Sequence, residues 1–225
     1  MSHVLFWDID GTLLTTARAG VFALEDAARE VCGASPDFQA LHTAGLTDAE
    51  VAALAIETCG GEPSDEFVDA FLRAYERRLP DSLHCRKGHV MPGIVAVLDH
   101  LGERDDVTSL LLTGNTPAGA RAKLAHYGLD GYFDGGAFCI DTGGRDSIAR
   151  RARELAEERL GELSDDRLFV IGDTPHDISA GKVIGARTVA LGTGPVPFDE
   201  LLAWDPWLAF EQLPAPERFV EQLGL

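Results

Sequence analysis

The sequence predicts an α/β fold: a doubly wound parallel sheet with an all-helical insert after its first strand. Three features point to it. Short, continuously apolar segments recur along the chain. Helical segments alternate with them. The alternation is broken once, over residues 15–88, which read as helix only. Continuous apolarity marks strands covered on both faces, and strand–helix alternation builds a parallel sheet flanked by helices.

The elements follow in order. Segment 3–8 (HVLFWD) reads as the first strand. The insert reads as helices near 18–32, 48–58 and 64–79, with glycine and proline between them. Pro92 and Gly93 precede a helix over 94–103, and 107–113 (VTSLLLT) is the second strand. Thr116 is placed to cap a helix over 117–127, Pro117 suits its first position, and Gly128 suits its end. Then come a strand at 136–140, an amphipathic helix over 146–160, a strand at 167–172, a short helix at 175–184 and a strand at 187–191. A weaker strand is read at 207–210. The domain boundaries expected are 1–14 with 89–225 for the core and 15–88 for the insert.

With 37 acidic against 19 basic residues, the net charge is −18. A field of that sign disfavours nucleic acid and anionic membrane, so any phosphate site must rest on local cations or a metal. Cys32, Cys59, Cys85 and Cys139 show no CxxC spacing, which argues against zinc and against a disulfide scaffold. Asp8 interrupts the apolar N-terminal run too early for a signal peptide, and no stretch reaches the ~20 apolar residues of a membrane span. A cytoplasmic protein, monomer or homodimer, is expected.

The chemistry gathers at strand ends. "WDIDGTLL" sets Asp8 and Asp10 two residues apart at the end of a buried strand, with Gly11 in the turn after them. In open parallel sheets ligands bind outside the carboxyl ends of the strands. The second strand ends in Thr113-Gly114-Asn115. The strand at 167–172 ends in Asp173, with Asp177 four residues on in "GDTPHD". Two carboxylates ~4 Å apart repel by about 4 kcal/mol at an effective dielectric near 20. Four converging acids therefore call for a hard divalent cation, and Mg²⁺ suits such oxygen ligands.

These motifs resemble the haloacid dehalogenase-like hydrolase superfamily: "DIDGTL" its first motif, "LLTGN" its second and "VIGDTPHD" its fourth. The insert resembles the helical cap of the phosphoglycolate phosphatase-like branch. The resemblance implies a Rossmann-like core and a cap that closes over substrate. It implies Asp8 as nucleophile and Asp10 as general acid and base. It implies Mg²⁺ held by Asp8, Asp173 and the Asp10 carbonyl, with Asp177 acting through water or orienting a ligand. Gly11, Thr113, Gly114 and Asn115 would bind the phosphoryl group. The superfamily's usual lysine is replaced here by Arg145 in "DTGGRDSIARRA", and Arg145 is preferred as the phosphate-binding cation. Lys123 is its competitor but reads as a solvated helix lysine. "HTAGLTD" (42–48) resembles a cap loop facing the site, although Thr47-Asp48 also suits a helix start. His176, Lys182 and Arg18 read as surface residues.

The function expected is Mg²⁺-dependent hydrolysis of a small phosphorylated metabolite: phosphoglycolate, a sugar phosphate or a nucleotide. A β-phosphoglucomutase-like phosphomutase shares the core. A phosphoacceptor signalling module shares the strand-end Asp but lacks both the DxD spacing and the insert. No P-loop, GxSxG elbow, HExxH or GxGxxG motif is present.

Overall fold

The computed structural model describes residues 2–38, 40–41 and 43–225. The chain opens on β1 (His3–Trp7), passes β2 (Leu14–Thr15), and enters α1 (Gly20–Cys32), α2 (Asp48–Thr58) and α3 (Asp65–Ser82). It returns through β3 (His89–Val90), which pairs antiparallel with β2 at the root of the helical insert. The remainder alternates: α4 (Ile94–Gly102), β4 (Val107–Leu112), α5 (Pro117–Tyr127), β5 (Gly136–Ala137), α6 (Gly144–Leu160), β6 (Leu168–Gly172), α7 (Pro175–Val183), β7 (Arg187–Leu191), α8 (Phe198–Ala203), β8 (Leu208–Phe210) and α9 (Pro216–Leu223).

The main sheet has the order β5-β4-β1-β6-β7-β8, and every pair is parallel. This is the doubly wound α/β fold expected. β1 lies centrally, with Trp7 level with Leu111 on one side and Ile171 on the other. Its side chains alternate between faces. Val4 and Phe6 pack toward Ile148, Ala149 and Ala152 of α6; Leu5 and Trp7 pack toward α4 and α9, including Val97, Leu98 and Phe219. That double coverage is why the strand is apolar at every position.

Two boundaries differ from the sequence reading by more than two residues, and β2, β3, α8 and α9 were not expected. The helix expected to end at 79 runs to Ser82 with Pro80 inside it; the proline gives up the one bond its missing N–H would make to the Glu76 carbonyl, and the helix ends two residues later. The strand expected over 136–140 stops at Ala137. The Cys139 amide turns instead to the Asn115 carbonyl, at 2.9 Å. No helix among the described residues is long and apolar enough to cross a membrane. Because β1, β4, β6 and β7 run parallel, their carboxyl ends line one edge, and the candidate residues gather there.

Candidate active site

Asp8 follows β1 directly. Its amide donates to the Ile171 carbonyl at 3.0 Å, which extends the ladder one residue and fixes the acid at the strand tip. Asp173 follows β6, the neighbouring strand, and Asp177 lies in the first turn of α7. Carboxylate oxygens of Asp8, Asp173 and Asp177 lie within 4.8 Å of one another, and all three residues are buried. Glycine makes room for them. A Cβ on Gly172 would lie 2.2 Å from Asp177 Cγ, and one on Gly11, whose φ is +86°, would lie 2.2 Å from Asp173 Oδ2.

The hydrogen bonds divide the acids by task. Asp177 Oδ2 accepts from the Thr174 amide at 3.0 Å and the Thr174 hydroxyl at 2.6 Å, while its Oδ1 accepts from Arg145. Both its oxygens are engaged, so it orients its neighbours. Asp173 Oδ1 accepts from the Thr12 hydroxyl at 2.9 Å. Asp173 Oδ2 and Asp8 Oδ1 are buried and, among the described residues, accept no hydrogen bond. Arg145 Nη2 stands 3.4 Å from Asp8 Oδ1, close enough to attract but too far for a good hydrogen bond. Burial, opposed by Arg145 and reinforced by Asp177 and Asp10, pushes the Asp8 carboxyl up to about 7. Burial, then Asp177 and Asp8, raise the Asp173 carboxyl well above the usual range. Two bare carboxylate oxygens in a buried, like-charged cluster fit a hard cation with oxygen ligands, and this cluster can hold a metal ion.

Asp10 does not join that cluster. Its side chain is 43% exposed. Its Oδ2 accepts from Lys123 Nζ at 2.5 Å and from Asn115 Nδ2 at 2.9 Å. Asn115 Nδ2 also donates to Thr113 Oγ1 at 2.8 Å, and Asn115 Oδ1 accepts from Lys123 at 2.6 Å. The Asn115 amide, expected to face a phosphoryl group, is bonded to Thr113 Oγ1 at 3.3 Å.

The solvated position expected for Lys123 is thus incorrect. It is 6% exposed, because α3 packs on α5 and closes over it. Burial works against its ammonium, but Asp10, Tyr75 and Asp48 outweigh that and raise its pKa. Arg145 and Lys123 are both brought to the strand tips, on opposite sides of β1's end. His176 and Lys182 are exposed as expected, although His176 packs under Gly45 of the insert. His42 lies outside the described residues.

A cavity of about 430 Å³ opens above these groups. Its wall includes Asp8, Asp10, Gly11, Arg145 and Asp173 of the core and Leu46, Asp48 and Tyr75 of the insert. The insert is tied to the core by main chain. The Asp48 amide donates to the Gly114 carbonyl at 2.7 Å, and the Thr116 amide donates to Asp48 Oδ2 at 2.8 Å. A Cβ on Gly114 would sit 3.0 Å from Thr47 Cα, so glycine permits this approach. Sequence reasoning missed the loop after β7. Thr193 donates to the Gly11 carbonyl at 2.6 Å, and a Cβ on Gly194 would strike Asp173 at 1.7 Å. The glycines of "GTGP" beyond a strand end were the available signal.

A profile of the haloacid dehalogenase-like hydrolases matches residues 5–182. The chain belongs to that family. In this haloacid dehalogenase-like hydrolase the matched span takes in every acid at the strand tips. The chain is 30% identical over 221 residues to the "Probable phosphatase IndB" of Dickeya dadantii, covering 92% of this chain and 88% of that protein. It is 29% identical over 235 residues to the phosphoglycolate phosphatase of Rhodospirillum rubrum, covering 94% and 93%. It is 27% identical over 195 residues to the tyrosine-protein kinase PtkA of Mycobacterium tuberculosis, covering 85% of this chain and 62% of that protein.

One acid of this hydrolase yields a pH prediction. Burial pushes the Asp48 carboxyl from 3.8 up to about 6, with Lys123 and the Thr116 amide pulling the other way. An acid that binds its proton more tightly when folded lowers native stability as pH rises from its unfolded to its folded pKa. Asn at position 48 keeps an oxygen for the Thr116 amide and removes the charge. Asp48→Asn is therefore expected to gain on the parent between about pH 4 and pH 6, by roughly 1–2 kcal/mol after screening by cavity water, and to hold that gain above. Urea unfolding of both proteins from about pH 4 to pH 8 checks this; parallel curves would refute it.

Proposed function

We propose that this hydrolase is a Mg²⁺-dependent phosphomonoesterase acting on a small phosphorylated metabolite such as phosphoglycolate, a sugar phosphate or a nucleotide. One observation carries the reading: Asp8 and Asp10 leave the same strand tip for different surroundings. Asp8 enters a buried triad with oxygens within 4.8 Å of each other, and Asp10 faces the cavity on a Lys–Asn clamp. Nucleophile and proton carrier need such different environments.

Asp8 attacks phosphorus, the ester P–O bond breaks, and Asp10 gives its proton to the departing oxygen. Water then attacks the aspartyl-phosphate, Asp10 takes the proton, and phosphate leaves with Asp8 restored. Arg145, at Asp8's side, neutralises phosphoryl oxygens, and Gly114 and Gly11 bound the pocket they occupy, with Thr113 buried behind it as the acceptor for Asn115. Asp8, Asp173 and the Asp10 carbonyl would hold Mg²⁺, with Asp177 positioning Arg145. Bound there, the cation offsets charge on the phosphoryl group. Residues 15–88 act as a cap that contributes Leu46, Asp48 and Tyr75 to the cavity wall. The cysteines are free thiols, which suits the cytoplasm, where we place the enzyme.

The test is released phosphate from p-nitrophenyl phosphate and a panel of phosphorylated metabolites. Many turnovers are expected with Mg²⁺ and none after chelation. Rearrangement of hexose phosphates without phosphate release would establish a phosphomutase instead. A single slow turnover would point to a phosphoacceptor module.

A further inference from the structure

Lys123 has no role in the chemistry just described, yet it is among the most buried charges of the molecule, with a side chain 8% exposed. It lies on α5, one helix beyond the loop that carries Thr113, Gly114 and Asn115. Its ammonium is committed to two oxygens, Asp10 Oδ2 at 2.5 Å and Asn115 Oδ1 at 2.6 Å. Asn115 closes the triangle by donating to the same Asp10 Oδ2 at 2.9 Å. Among the described residues, Asp10 Oδ1 accepts no hydrogen bond, and the side chain is open to the cavity.

We infer that Lys123 is a positioning residue: with Asn115 it clamps Oδ2 of Asp10, so that all proton exchange with the leaving group and with water runs through Oδ1. The inference rests on the phosphomonoesterase reading of Asp10. Its physical basis is an asymmetry of donors. An oxygen facing two N–H groups, one of them cationic, has its lone pairs taken and no room for a proton. The bare oxygen is left as the only seat for the transferable proton, and two short bonds on the other oxygen fix the carboxyl plane. General acid catalysis depends on such placement, because the donor must reach the reacting oxygen within hydrogen-bond distance.

The geometry also separates Lys123 from Arg145. Arg145 engages Asp177 and approaches Asp8, on the phosphoryl side. Lys123 engages Asp10 and is surrounded by Asp48 and Tyr75 of the insert, on the side where the leaving group must lie. A cation spent on Asp10 and Asn115 is not a free phosphate ligand.

The test exploits the leaving group. Departure of an alkoxide needs a proton from Asp10; departure of p-nitrophenolate hardly does. kcat/KM reports the steps through phosphoryl transfer to Asp8, and is measured with Mg²⁺ on p-nitrophenyl phosphate and on glycerol phosphate. Lys123→Met should lower the value for glycerol phosphate by roughly 10²-fold and that for p-nitrophenyl phosphate by about 5-fold. Lys123→Arg, which can still reach Oδ2, should restore most of the ratio between the two substrates. Equal losses on both substrates would overturn the inference, since a phosphate ligand or a merely structural residue affects both alike. Loss on neither would overturn it as well. Should Lys123→Met fail to fold because Asp10 and Asp48 face each other without a cation, the same comparison is made on the Asp48→Asn background. An Asp8→Asn enzyme that still turned over would defeat the phosphomonoesterase reading itself, a result distinct from any ratio between substrates.

Discussion

Asp8→Asn is expected to abolish turnover, by on the order of 10⁴-fold or more, while the protein keeps its fold and melts at or above the parent temperature. The kinetic part follows from the proposed chemistry. An amide cannot form the covalent phosphoryl intermediate, and loss of a nucleophile is among the largest effects a single residue can have. The thermal part follows from the surroundings. Asp8 is 3% exposed, its Oδ1 accepts no hydrogen bond among the described residues, and Asp173 and Asp177 crowd it. In the absence of a bound cation, an uncharged isostere relieves that repulsion. Melting curves without Mg²⁺ and phosphate release with Mg²⁺ check both halves. A variant with substantial activity would remove Asp8 from its assigned role, and one melting well below the parent would show that the strand tip needs the charge.

Arg145→Ala carries the second large effect, and it acts on stability as well as activity. The guanidinium is the cation inside the triad: it bonds Asp177 and stands 3.4 Å from Asp8. Its removal leaves three buried carboxylates with no positive partner among the described residues. Breaking a buried ion pair by deleting one partner costs about 3–5 kcal/mol. For a chain of this size that lowers Tm by roughly 6–20 °C. Added Mg²⁺ should recover part of the loss, because a dication at the triad takes over the missing charge. Thermal unfolding of parent and variant with and without Mg²⁺ measures this. A shift of less than about 2 °C would show that the acids are not held as charged groups there.

The fold was legible because the strands are apolar at every position and their spacing leaves room for crossover helices. The convergence of Asp8, Asp173 and Asp177 was legible for a related reason: Asp8 and Asp173 close adjacent apolar strands, Asp177 follows four residues on, and the parallel order brings their oxygens within 4.8 Å of one another. Lys123 was not legible. On α5 it sits among alanines two residues from Arg121, a local setting typical of a solvated lysine. What buries it is α3, from a part of the chain more than forty residues away. Thr12 and Asp173 are 161 positions apart, and Thr193 and Gly11 are 182 apart. Local pattern cannot supply contacts at that range. Asp48 read correctly as the start of a helix, since Thr47 caps α2 in a capping box with Glu50. Its second bond, from its own amide to Gly114, leaves no trace in side-chain type.

That last bond has a bearing on how this scaffold diversifies. Peptide groups supply both the donor and the acceptor, so replacement of residue 48 by anything other than proline leaves the joint in place. Selection can exchange the side chains of the insert that line the cavity while the helix bearing them stays seated over the strand tips. New substrates can then be sampled without relearning how the two halves of the molecule meet.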